Sequence, residues 1–136
     1  MKRLIILLLG ILTINTFSQT KLSCPIKITV EFTFIDEQDL VLGEYNLSDK
    51  DIQEFKCLLS FYNSSGKPAL SYISKTNSAY FISNRGIPAN NNEVEYSNID
   101  DFEGAVKCKV KLIYVKFEDG TIWKPDPKKK VVFESQ

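Results

Sequence analysis

Histidine is absent from this chain of 136 residues. Its absence removes, in one step, the commonest general base, the usual base of a nucleophilic triad and the commonest zinc ligand. Net charge is also lacking, because 17 Lys and Arg face 17 Asp and Glu. A protein that grips nucleic acid needs a clustered surplus of bases for the phosphates, and the balance here gives none. Beyond the first segment no apolar run approaches the roughly 20 residues needed to cross a bilayer as a helix. There is no internal repeat and no interdomain linker, so one small domain is expected.

The first segment reads as an address. Met1-Lys2-Arg3 is basic, Leu4 to Ile14 is almost unbroken apolar chain, and Thr16-Phe17-Ser18 offers small residues to a signal peptidase. Residues 1–18 are therefore expected to be a signal peptide cleaved near Ser18. A retained anchor is disfavoured by the length of the apolar run, and lipidation by the distance from Ile14 to Cys24. Loss of Lys2 and Arg3 leaves acids in excess by two, too little to steer a partner.

The remainder reads as strands. Ile26, Ile28, Val30, Phe32 and Phe34 alternate with polar residues, the period that puts one face on a core and the other in water. Phe55, Cys57, Leu59 and Phe61 form a second inward row, closed by the turn Asn63 to Lys67. Leu70 to Ile73 and Ala79 to Ile82 read as shorter strands. Val106, Cys108, Val110 and Leu112 point inward until the phase slips to Ile113, Val115 and Phe117, which predicts a bulge near Leu112. Asp119-Gly120 then predicts a hairpin turn with positive φ at both central residues, returning through Ile122 and Trp123. Helical spacing is missing except for one turn that Ser48 could cap before Ile52.

These signals predict an all-β fold: an immunoglobulin-like antiparallel β-sandwich of about seven to eight strands over residues 19–124. Residues 125–136 are expected as a polar tail, with Val131 to Phe133 as an added edge strand.

In an oxidising compartment Cys57 and Cys108, each inward on a long strand, are the candidate inter-sheet disulfide. Closing that loop would add about 4 kcal/mol in the chain-entropy account. Buried free thiols are the equal alternative, and Cys24, in phase with Ile26, is a third partner.

Ser48 to Ile52, Phe55-Lys56 and Leu59 to Lys67, together with the block Ile113 to Trp123, resemble a pattern of uncharacterised exported bacterial domains and are similar to domains of the FxLYD kind. The resemblance implies an immunoglobulin-like sandwich without an assigned activity, and it carries over no catalytic residue.

Two acidic groups, Asp36, Glu37, Asp39 and Asp100, Asp101, Glu103, offer oxygens that Ca²⁺ could use, although neither has the spacing of a calcium loop. Six tyrosines and Trp123, the candidate aromatic contact, could furnish a sugar- or protein-binding surface. Lys107, Lys109 and Lys111 make a basic stripe that keeps a strand soluble or meets acidic polysaccharide or lipid headgroups. No motif calls for a cofactor or metal. The reading is an exported, non-catalytic binding or envelope-accessory module, periplasmic or secreted, with a protein partner and no nucleic acid. A carbohydrate- or calcium-linked adhesion module is the alternative, and a small hydrolase, lacking any His, stands behind both.

Overall fold

The computed structural model of the chain describes residues 23–34 and 37–136, so the expected signal peptide and its cleavage point lie outside the described residues. Eight strands follow in order: β1 (Ile26–Thr33), β2 (Asp39–Asn46), β3 (Ile52–Tyr62), β4 (Ser78–Ser83), β5 (Asn92–Asn98), β6 (Lys107–Phe117), β7 (Ile122–Trp123) and β8 (Val132–Glu134). Among the described residues there is no helix, and therefore none long and apolar enough to cross a membrane.

The strands form two antiparallel sheets, one ordered β1-β2-β5 and the other β4-β3-β6-β7, with β8 pairing β6 beside β7. Strict alternation supplies the inner faces. Ile26, Ile28 and Val30 of β1 and Leu40 and Leu42 of β2 meet Phe55, Cys57, Leu59 and Phe61 of β3 and Val110 and Leu112 of β6, all buried.

The expected phase slip in β6 is present. Lys56 faces Tyr114 and Cys57 faces Leu112, so Ile113 is the extra residue, and Val115 and Phe117 stay inward after it. A second irregularity leaves Gln53 of β3 unpaired, between the Ile52–Phe117 and Glu54–Lys116 positions.

Four expectations need correction. Leu70 to Ile73 is not a strand. The Ser71 hydroxyl donates to Asp101 Oδ2 at 2.7 Å and accepts from the amides of Ile73 and Ser74, a local pattern that competes with strand pairing. No helical turn precedes Ile52, because the Asn46 side chain organises that bend instead: its Nδ2 donates to the carbonyls of Lys50 and Ile87 while Oδ1 accepts from Ser48. The Asp119-Gly120 hairpin exists, yet only Gly120 has positive φ, at 88°. Gly120 N donates to Phe117 O and Phe117 N to Thr121 O, so the turn holds three residues with the glycine in the left-handed position. Finally, β2 and β5 occupy stretches in which no strand was expected.

A Cβ at Gly120 would meet nothing within 4 Å, so its replacement by alanine tests backbone strain alone. Gly120→Ala is expected to cost about 1–2 kcal/mol and to lower the melting temperature by several degrees without changing the spectrum of the folded state. An unchanged melting temperature would contradict the left-handed assignment.

Candidate functional site

The outward face of the larger sheet gathers most of the chemistry-bearing side chains. Alternation turns Glu54, Lys56, Leu58, Ser60 and Tyr62 of β3 outward, and the register sets the neighbouring strands beside them. Three rows run across the strands: Tyr80–Leu58–Lys111–Val132, Ile82–Lys56–Tyr114, and Ser78–Ser60–Lys109–Glu134. Tyr62 stands opposite Lys107, and Glu54 opposite Lys116. The face thus carries Lys56, Lys107, Lys109, Lys111 and Lys116 against Glu54 and Glu134 alone.

That imbalance is local, because the chain as a whole is neutral. The outward face of the smaller sheet carries Lys27, Glu31 and Asp39 and so has no positive excess. Of the five lysines only Lys109 has an ion pair among the described residues, with Glu134 at 3.8 Å. Lys56 Nζ stands 4.4 Å from the Tyr80 ring centre and Lys109 Nζ 5.4 Å from that of Tyr62. Such cation–π contacts hold flexible ammonium groups close to the rings. Tyr114 donates to Glu54, which raises its phenol pKa and takes up one of the two acids.

Trp123 does not join these rings. It lies opposite Val115, half-buried against the core. Asp119 accepts from the Thr121 amide and hydroxyl and pairs with Lys50 at 3.1 Å, contacts that depress its carboxyl pKa to about 2 and serve the hairpin.

The disulfide expectation does not match the geometry. Cys24, Cys57 and Cys108 are free thiols. Cys57 and Cys108 lie on adjacent strands of one sheet rather than on facing sheets, and Cys108 is opposite Phe61, four residues along from Cys57. Four strand residues span about 13 Å, beyond the reach of a disulfide. Burial pushes the Cys108 thiol up to about 12 and that of Cys57 higher still, away from the reactive thiolate. Alkylation without reductant is expected to leave both unlabelled in the native protein and to label all three cysteines in denaturant. Fewer than three labels in denaturant would restore a bridge.

The fold brings Glu37 and Asp39 of one acidic group to Asp100 of the other, whereas Asp101 accepts from Ser71 instead and Asp36 lies outside the described residues. Asn98 Nδ2 donates to Glu37 at 2.9 Å and to Asp100 at 3.1 Å, with Asp39 at 3.5 Å. An amide nitrogen occupies the centre of this arrangement, and no cluster of three or more His, Cys, Asp or Glu has metal-holding geometry among the described residues.

A further polar group, not anticipated from the sequence, lies between the sheets. Glu44 is fully buried and neither of its oxygens receives a hydrogen bond from any described group. Glu95 lies near it on β5 and accepts from the Ser83 hydroxyl at 2.6 Å, with Arg85 Nε 4.0 Å away. Burial above all, then the charge of Glu95, raise the Glu44 carboxyl to about 8. Glu44 is therefore protonated at neutral pH, and its proton is what lets two acceptor groups sit together. On the opposite flank an open groove of about 850 Å³ runs beside β1 and β8.

Comparison with known proteins informs the fold alone. No family model and no curated protein matches the chain. A crystal structure of a hypothetical protein from Peptoclostridium difficile 630 superposes with a TM-score of 0.65 at 12% identity, covering 78% of this chain and 89% of that one. A structural-genomics target gives a TM-score of 0.47 at 12% identity, covering 81% of this chain and 84% of that one.

Proposed function

We propose that this protein is an exported, non-catalytic binding module of the immunoglobulin-like kind, acting in the periplasm or outside the cell through the outward face of its larger sheet. The single observation that carries the reading is the charge segregation just described: five lysines and three tyrosines on one sheet face of a neutral chain. Solubility alone calls for interspersed signs, not five lysines against two acids on one face.

Part of the strand order supports the immunoglobulin-like reading. Strands one, two and five in one sheet and three, six and seven in the other follow the order of such a sandwich, while the fourth strand departs from its constant-type form by attaching to the third. The amino-terminal pattern Met1 to Ser18 supports export. A role without chemistry is supported by a sequence with no histidine and by two buried cysteines held far from the thiolate form.

The test is cross-linked affinity capture from the native host, comparing the wild-type protein with the triple variant Lys107→Glu, Lys109→Glu, Lys111→Glu. A stoichiometric envelope component captured by the first and lost by the second is the expected result. Capture of the same component by both would remove the face from the account.

A further inference from the structure

From the geometry of the lysines we infer that the ligand of this face is a linear anionic polysaccharide, bearing carboxylate or sulfate groups, laid along β6. The inference rests on the binding-module reading and names its ligand class.

Four of the five lysines, Lys107, Lys109, Lys111 and Lys116, come from one strand. They form a line rather than a disc, and nine strand steps give it a length of about 30 Å. Tyr114 lies within this line and Tyr62 beside its start, opposite Lys107. The strand thus presents charges at every second residue from Lys107 to Lys111 and a fourth five residues on, at Lys116, with aromatic rings beside them. That suits an extended polymer with regularly placed anions and a ring surface of its own. Lysine ammonium groups pair with the anions as point charges, and the tyrosines offer the outward edges of rigid rings at small entropic cost.

Other occupants fit less well. A second copy of this chain would set one row of lysines against another, and like charges in register repel. A plane of lipid headgroups would use a broad basic patch, whereas this line is flanked by Glu54 and Glu134. Single-stranded nucleic acid needs open ring faces for base stacking, and here ammonium groups stand over the rings of Tyr62 and Tyr80. A polymer of the stated kind needs only the exposed lysines and the outward edge of each ring.

The experiment is equilibrium binding of the purified protein to polygalacturonate, chondroitin sulfate, neutral dextran, phosphatidylglycerol vesicles and an oligothymidylate, at about 0.05 and 0.5 M salt. Binding to one or both acidic polysaccharides, lost at high salt and absent with dextran, is the expected result. The triple variant Lys107→Glu, Lys109→Glu, Lys111→Glu should weaken it at least tenfold. A control on the outward face of the smaller sheet, Lys27→Glu, should leave it within about twofold. Both variants are checked by thermal melting to be folded. Vesicle or oligothymidylate binding tighter than that of either polysaccharide would overturn the inference, as would equal losses in the two variants. If neither polysaccharide binds while the host capture still depends on the three lysines, the ligand class is wrong and the binding-module reading stands.

Discussion

Raising the pH from about 4.5 to about 8 is expected to remove folding stability on the order of 4 kcal/mol, through one residue, Glu44. Its carboxyl titrates near the ordinary 4.5 in the unfolded chain and near 8 in the folded protein. The folded state therefore holds the proton more tightly. Stability is fully present below the unfolded value, declines as pH climbs between the two, and is lost once pH passes the folded one. Each pH unit between them is worth about 1.4 kcal/mol, so the loss is a large fraction of a small domain's total.

The groups facing Glu44 explain why nothing else relieves it. Glu95 and Glu93 on β5 both oppose its ionisation, Arg85 alone favours it, and from the opposite sheet Cys57 offers no charge to help. Replacing Glu44 with leucine, which is similar in volume and apolar, should flatten the pH dependence and leave the variant more stable than wild type at pH 9. The check is urea unfolding across pH 4 to 9 for both proteins. An equally steep decline in Glu44→Leu would assign the titration to another group.

The second large effect is expected at Phe61. Its side chain is fully buried and its ring lies 4.3 Å, centre to centre, from that of Phe102. Phe102 belongs to the connection from β5 to β6, where turn bonds from Phe102 N to Ile99 O and from Ala105 N to Phe102 O hold a compact loop. Phe61→Ala removes a ring that the surrounding sheets cannot close over, a change that costs about 3–5 kcal/mol. It also unpins the loop, so amide exchange should quicken at residues 99–105 more than in β1. Urea unfolding and hydrogen exchange report the two consequences separately. A stability loss under about 1 kcal/mol would mean that Phe61 is not the anchor its burial implies.

How much of this was legible in the sequence depends on whether a strand's inward face is apolar. β1 and β6 announce themselves by alternation, and even the bulge at Ile113 shows as a slip of phase. β2 hides because Val41 is apolar on the outward face, Glu44 is polar on the inward one, and Gly43 interrupts the run. That glycine is fixed by tertiary contact, since a Cβ there would collide with the Thr29 hydroxyl on the neighbouring strand. β5 is inverted: Val94 and Tyr96 face water, while Glu95 meets Ser83 across the gap between the sheets and lies beside Glu44 of the neighbouring strand. A pattern rule cannot find a strand whose interior is polar.

The binding face was legible in fragments. Lys107, Lys109 and Lys111 stand out as a stripe on one strand. That Lys56, Tyr62 and Tyr80 join them follows from the pairing of β3 with β4 and β6, and register between distant segments is not written in local spacing. The same lack of register made Cys57 and Cys108 look like partners across the sandwich, when both belong to one sheet.

The central claim, that the outward face of the larger sheet is where this protein meets its partner, is most directly tested by lysine-reactive footprinting. The purified protein is labelled alone and in the presence of envelope and extracellular extract from its host, and modification is quantified at each lysine by mass spectrometry. The account predicts protection at Lys107, Lys109, Lys111 and Lys116, with Lys27 on the smaller sheet labelled as before. Protection confined to Lys27, or none at any lysine, would contradict it.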